Sequence, residues 1–274
     1  MKKYLSTIIL ILVFVTGLSL LLYPTVSDYW NSFHQSQAIA TYASEVAALD
    51  DDDYDELWAA AEAYNQRLAR RGNPLMQSEE DLAEYEALLN IAGSGVMGYI
   101  EIPELKVSLP VYHGVDEGVL QIAVGHIPGT SLPTGGKGTH SVLSGHRGLP
   151  SAKLFTNLDQ MREGDTFMLR ILDETLTYEV DQILIVEPHE VAALSIDPDE
   201  DYCTLVTCTP YGINTHRLLV RGHRVENQAE AQAVRVTADA MQIEPVIVAP
   251  VVAAPMLLCL MLWVLLRNPK KKKR

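Results

Sequence analysis

The chain has 274 residues, 48% of them hydrophobic, and carries 35 acidic against 21 basic side chains, a formal net charge of −14. Its length suits one medium domain with additions. Its sign of charge argues against nucleic acid as a partner, because a surface that grips phosphates needs the opposite sign.

The first element is an uncharged run, Tyr4 to Tyr23, about as long as the ~20 residues that cross a bilayer core. Lys2 and Lys3 before it resemble the basic start of a cleaved signal, but the run is long for one. The only Ala-x-Ala, at Ala38 to Ala40, lies well beyond its end. The run is therefore read as a retained anchor. From Gln35 to Arg71 the pattern is Ala-rich and helical, as in a helical hairpin packed on a later domain. Asp50 to Asp53 mark a helix start, and Leu57, Ala61, Tyr64 and Leu68 recur at the spacing of one buried face. Gly72, Asn73 and Pro74 break that helix, and the charged stretch to Leu89 reads as a loop or short helix that can move.

From Val96 the pattern turns to β. MGYIEIPEL and VSLPVYHG read as a hairpin. Runs at His140 to His146, Asp165 to Leu172, Glu174 to Glu187, Asp201 to Cys208 and Thr215 to Val225 follow, with helical turns expected at Gly118 to Val124 and Ser151 to Met161. Many short strands with few helices predict a closed or nearly closed barrel. LPTGG at Leu132 to Gly136 reads as a Pro/Gly turn, and His113, His126, His140, His189, His216 and His223 have no metal-like spacing.

A second uncharged run, Val246 to Leu266, contains Pro250 and Pro255 and ends before the basic tail Lys270 to Arg274. That pattern is a membrane stop, and basic residues flanking both runs put both termini on the cytoplasmic side. Between the runs, 13 basic residues face 35 acidic ones. Such an acidic outer domain favours basic or neutral protein partners.

Three cysteines are present. Cys259 lies in the second run as a small apolar residue, and Cys203 and Cys208 are five apart on one extended run. Odd separation on a strand points them to opposite faces, which disfavours a disulfide between them. Cys203 reads as core, and Cys208 as a free thiol kept for chemistry. Arg217 stands nine residues on, at the start of the next apolar run, and His146 lies 62 residues upstream in LSGHRGLP. A histidine beside a thiol stabilises the thiolate and protonates a leaving amine, and a guanidinium offers donors to a developing oxyanion.

TLVTCTPYGINTHRLLVRGHR resembles the active-site strand pair of sortases, and TPYGINTHRLLVRG is most like the pilin-polymerising class C. LSGHRGLPSAKLFTNLD is similar to the family's histidine segment and MGYIEIPEL to the opening strand of its barrel. The resemblance implies a mainly β fold, an eight-stranded sortase-type barrel with N-terminal helices and two flanking transmembrane helices. It implies an anchor at 1–23, a helical segment at 24–71, a lid-like segment at 72–95 and the catalytic barrel at 96–226. A linker at 227–245, a second span at 246–266 and a cytoplasmic tail at 267–274 complete the chain.

The resemblance further implies Cys208 as nucleophile, His146 as general acid and base, and Arg217 as substrate and oxyanion stabiliser, with no cofactor and no metal. The expected partners are pilin or surface proteins bearing an LPxTG-like signal. The acceptor is a lysine amine of another pilin or, alternatively, a peptidoglycan amine. A catalytically inert membrane scaffold is the reading outside this chemistry. Class C relatives close the site with an Asp-Pro-aromatic lid. The matching residues here are Asn73, Pro74, Leu75 and Met76, without the acid or the aromatic.

Overall fold

In the computed structural model, described for residues 2–227 apart from 72–74, 76 and 92, the first element is a single helix, α1 (Lys2–Val46). It passes through Pro24 without ending. A proline inside a helix costs on the order of 3 kcal/mol by removing a hydrogen bond and crowding the preceding turn. The turns after it are held from outside: Asp28, Asn31, Gln35 and Tyr42 all bond to the β domain. The expected anchor and the first arm of the expected helical hairpin are thus one rod, whose Ile8–Val46 portion includes a window apolar enough to cross a membrane. The second uncharged run, Val246 to Leu266, lies outside the described residues.

Helix α2 (Asp51–Ala69) begins where the acidic cluster predicts. Asp50 caps it by accepting from the Asp53 backbone, and Ala61, Tyr64 and Leu68 are buried. Its fourth buried residue, Asn65, is polar and clasps the LPTGG turn. The Asn65 amide donates to the Leu132 carbonyl (2.9 Å) and to Thr134 Oγ1 (2.9 Å), and its oxygen accepts from Leu132 N (2.7 Å). Helix α3 (Glu79–Ala87) opens on a reciprocal cap between Ser78 and Asp81.

Tyr85 ties α3 to the β domain. Its buried hydroxyl accepts from Gly114 N (3.0 Å) and stands 3.0 Å from His126 Nδ1. Since His126 Nε2 donates to the Ser131 carbonyl (2.8 Å), Nδ1 is left to accept from that hydroxyl. The segment expected to be a loop or short helix therefore contains an anchored one.

The β domain holds eight strands among the described residues: β1 (Val96–Ile102), β2 (Val107–His113), β3 (Val124–His126), β4 (Thr139–Ser144), β5 (Thr166–Ile171), β6 (Glu174–Val186), β7 (Asp201–Thr209) and β8 (His216–Val225). They close in the order β1-β2-β3-β4-β7-β8-β6-β5, with β5 pairing back onto β1. Two pairs, β2 with β3 and β4 with β7, are parallel, which makes the barrel mixed. A parallel pair needs a crossover. For β2 to β3 that crossover holds a short helix, α4 (Glu117–Leu120), so the helical turn expected to reach Val124 stops earlier and yields to β3. The expected turns at Ser151 to Met161 reduce to a single 3-10 turn, Leu158–Gln160.

Alternation sets the core. On β7, Cys203 and Leu205 point inward and pack in the main cluster, whereas Val206 belongs to a second cluster outside the barrel wall. The interior is filled tightly by the stacked rings of Phe167 and Tyr178, whose centroids are 5.6 Å apart. Gly222 makes room for them, because a Cβ there would lie 2.8 Å from the Phe167 ring.

Candidate active site

Cys208 is the penultimate residue of β7 and is partly exposed. It pairs directly with Arg217 in the antiparallel β7–β8 ladder, so both side chains leave the same face of the sheet. On the other side of β7, β4 runs parallel in the register Leu143↔Leu205 and Ser144↔Val206. Continuing that register brings His146 level with Cys208.

The backbone after β4 is held in place. Gly145 N donates to the Val206 carbonyl (3.1 Å), Thr207 Oγ1 donates to the Gly145 carbonyl (2.8 Å), and Phe155 N donates to the His146 carbonyl (3.1 Å). Gly145 has to be small, since a Cβ there would sit 2.7 Å from the Phe155 ring. Cys208 and Arg217 thus share the outer face at one end of β7 and β8, and the backbone of His146 lies just past the adjacent end of β4.

Arg217 Nη1 donates to the carbonyls of His216 (3.1 Å) and Asn214 (3.3 Å), so its guanidinium is turned onto the backbone of the β7–β8 loop. Below the three residues the outer face is apolar. Val142, Val206 and Leu219 form a buried floor, with Ile127, Val186 and Leu194 packed beside it. The wall above is the connection from β6 to β7. It is pinned by His140, whose Nδ1 donates to the Ser195 carbonyl (2.9 Å) while Nε2 accepts from Thr204 Oγ1 (2.7 Å). Burial lowers the His140 pKa, which keeps the ring neutral and suited to this latch.

Cys203 has the opposite fate. It is fully buried, and burial, reinforced by the charge of Asp201, pushes its thiol well above the ordinary value. Both cysteines are free.

Of the expected lid residues, Leu75 is described and is exposed, whereas Asn73, Pro74 and Met76 lie outside the described residues. Sequence reasoning missed Arg147. Its guanidinium forms an ion pair with Asp159, donates to Thr209 Oγ1 (3.4 Å) and lies 5.8 Å from the centre of the Tyr211 ring. It therefore links the histidine segment to the end of β7 beside Cys208. Its adjacency to His146 was visible, but no spacing rule points a loop arginine at a strand 62 residues away.

The sortase domain family matches residues 100–225. The crystal structure of sortase C1 from Streptococcus agalactiae is 49% identical, covers 70% of this chain and all of its own, and superposes with a TM-score of 0.69. Sortase C of Clostridium perfringens, solved with the C-terminal cell wall sorting motif, is 43% identical with a TM-score of 0.61, covering 70% of this chain and 99% of its own. Sortase D of Bacillus subtilis (strain 168) is 26% identical over 152 residues, 54% of this chain and 74% of its own. The chain belongs to the sortase family of cysteine transpeptidases and is most like the class C sortases.

Proposed function

We propose that the chain is a membrane-anchored transpeptidase that cleaves an LPxTG-like sorting signal and joins the product to a lysine amine of another pilin subunit. The observation that carries this reading is the direct pairing of Cys208 with Arg217, with the end of β4 bringing His146 to the same level. The Clostridium relative solved with a sorting motif supports the substrate class. The apolar run within α1 supports anchoring.

In this mechanism the Cys208 thiolate attacks the threonine carbonyl carbon, and Arg217 swings from its loop carbonyls to donate to the oxyanion. The Thr–Gly bond breaks, and the leaving glycine amine takes a proton from His146. The thioester that remains is attacked by a neutral lysine Nζ, which gives its proton to His146 as the Cys208 thiolate departs. The floor of Val142, Val206 and Leu219 receives the leucine and proline of the signal. Arg147 positions the histidine segment against β7 through Thr209 and Tyr211.

The test is the enzyme incubated with an LPxTG peptide and two competing acceptors, a lysine-bearing pilin domain and a peptidoglycan stem-peptide amine. Mass spectrometry of the products is expected to locate an isopeptide bond from threonine to the pilin lysine. Exclusive transfer to the stem-peptide amine would replace pilus assembly with cell-wall attachment.

A further inference from the structure

The contacts of α1 with the barrel follow the order of the helix. Lys153 N donates to Asp28 Oδ1 (3.0 Å), the Asn31 amide donates to the Ser151 carbonyl (2.8 Å) and the Gln35 amide to the Ile122 carbonyl (2.6 Å). Farther along, the Tyr42 hydroxyl donates to the Met97 carbonyl (3.0 Å) and accepts from Leu172 N (2.7 Å). Ser151 and Lys153 lie just after His146, at the end of β4. Leu172 lies at the β5–β6 turn, at the opposite end of the barrel. The apolar run of α1 therefore projects from the Cys208 end.

The opposite face of that helix is uncovered. Tyr23, Val26, Trp30 and Phe33 recur at three- and four-residue spacing and stay more than half exposed, as does Tyr29 beside them. They continue the apolar run without a break, and Trp30 stands seven residues past Tyr23, about 10 Å of helical rise. Tryptophan and tyrosine favour this headgroup level.

A second exposed apolar element sits beside them. The β7–β8 loop presents Tyr211 and Ile213, 59% and 67% exposed. Its place is fixed, because the Tyr211 ring lies on Gly148, where a Cβ would come within 2.9 Å of it. Gly148 is three residues from the Ser151 that holds Asn31. Charge at this end is close to balance, in a chain of net charge −14: Arg147 pairs with Asp159 and Lys153 with Asp28, and Glu187 and Glu190 follow Val186, the ladder partner of Arg217.

We propose that the Cys208 end of the barrel rests on the lipid bilayer. The exposed stripe of α1 and the Tyr211–Ile213 loop enter the headgroup layer, and Cys208 opens at that level to polypeptide segments emerging from the membrane. This proposal rests on the reading of the α1 apolar run as a span.

The experiment uses the full chain in vesicles of phosphatidylglycerol and phosphatidylcholine, with and without acyl chains brominated near the headgroup. One variant keeps only Trp30 (Trp58→Phe, Trp263→Phe). Another adds Ile213→Trp to a background in which all three native tryptophans are phenylalanine, and Tyr211→Trp replaces it if that variant fails to fold. A third keeps only Trp58, on α2. Bromine is expected to quench the first two by about twofold or more and to leave the third unchanged, as interfacial placement requires. Protein that floats with the vesicles while the loop tryptophan is unaffected by bromine overturns the docking surface and leaves the anchor standing. A stripe protected instead by dimerisation, seen as loss of Trp30 quenching with cross-linked pairs, also overturns it. Failure to float sinks the anchor and the docking surface together.

Discussion

At the scale of single residues, the site depends on side chains that look alike in sequence and differ in surroundings. Cys203 and Cys208 sit on one strand, yet one is sealed in the barrel with its thiol pKa raised and the other is partly exposed opposite a guanidinium. Arg217 offers a planar fork that a point charge does not reproduce. Arg217→Lys is accordingly expected to lower kcat/KM for peptide cleavage by about a hundredfold, the scale of a lost oxyanion donor. Activity within about twofold of the parent would remove Arg217 from that role.

His126 makes a second residue-scale claim. Burial holds its pKa down to about 4, against 6.5 ordinarily. As pH falls below 6.5 the unfolded chain takes up a proton at this ring and the folded chain does not, so stability is lost between about pH 6.5 and 4 and is flat above. The loss is on the order of 3 kcal/mol. Urea unfolding across that window is expected to show it, and His126→Gln to flatten the slope. An unchanged slope in the variant would place the titration elsewhere.

At the scale of elements, what was legible depended on period and length. α2 could be read because its acidic start and its Leu57, Ala61, Tyr64 and Leu68 face obey helical spacing, and three of those four are buried. β7 and β8 could be read because each is an apolar β-type run of nine or ten residues, and the pairing of Cys208 with Arg217 follows from two such strands joined by a short loop. β3 was not legible. Its three residues, Val124–His126, are too few to show a period and owe their conformation to β2 and β4. Nor was the length of α1, since Pro24 signals a break that the barrel contacts of Asp28 and Asn31 overrule. The anchoring of α3 depended on a distant partner, His126, that no local pattern ties to Tyr85.

Two predictions belong to this scale. Leu68 is 2% exposed in the main core, so Leu68→Ala is expected to cost about 3 kcal/mol in urea unfolding. A loss below about 1 kcal/mol would mean that α2 packs less closely than its burial implies. The segment after α2 lacks the acid and the aromatic of an Asp-Pro-aromatic lid, which motivates weak autoinhibition. Replacing Leu75 and Met76 together by serine should then change the rate of peptide cleavage by less than about twofold, and a gain near tenfold would reveal a working lid.

At the scale of the whole molecule, a closed barrel leaves no free sheet edge, so the substrate has to be met on the outer face. There the strand ends of β4, β7 and β8 converge over an apolar floor, with the pinned β6–β7 connection as a wall. The helices brace the barrel: α2 holds the LPTGG turn, α3 holds His126, and α1 bonds along it from Lys153 near the Cys208 end to Leu172 at the other. The central claim is that Cys208 captures the acyl half of a sorting signal. Its most direct test is intact-mass and fragment spectrometry of the enzyme quenched in acid after mixing with an LPxTG peptide. An adduct with the mass of the peptide truncated after threonine is expected, located on Cys208 and absent from Cys208→Ala. An adduct that survives in Cys208→Ala, or none on the parent enzyme even with the residue 75 and 76 substitutions, would contradict it.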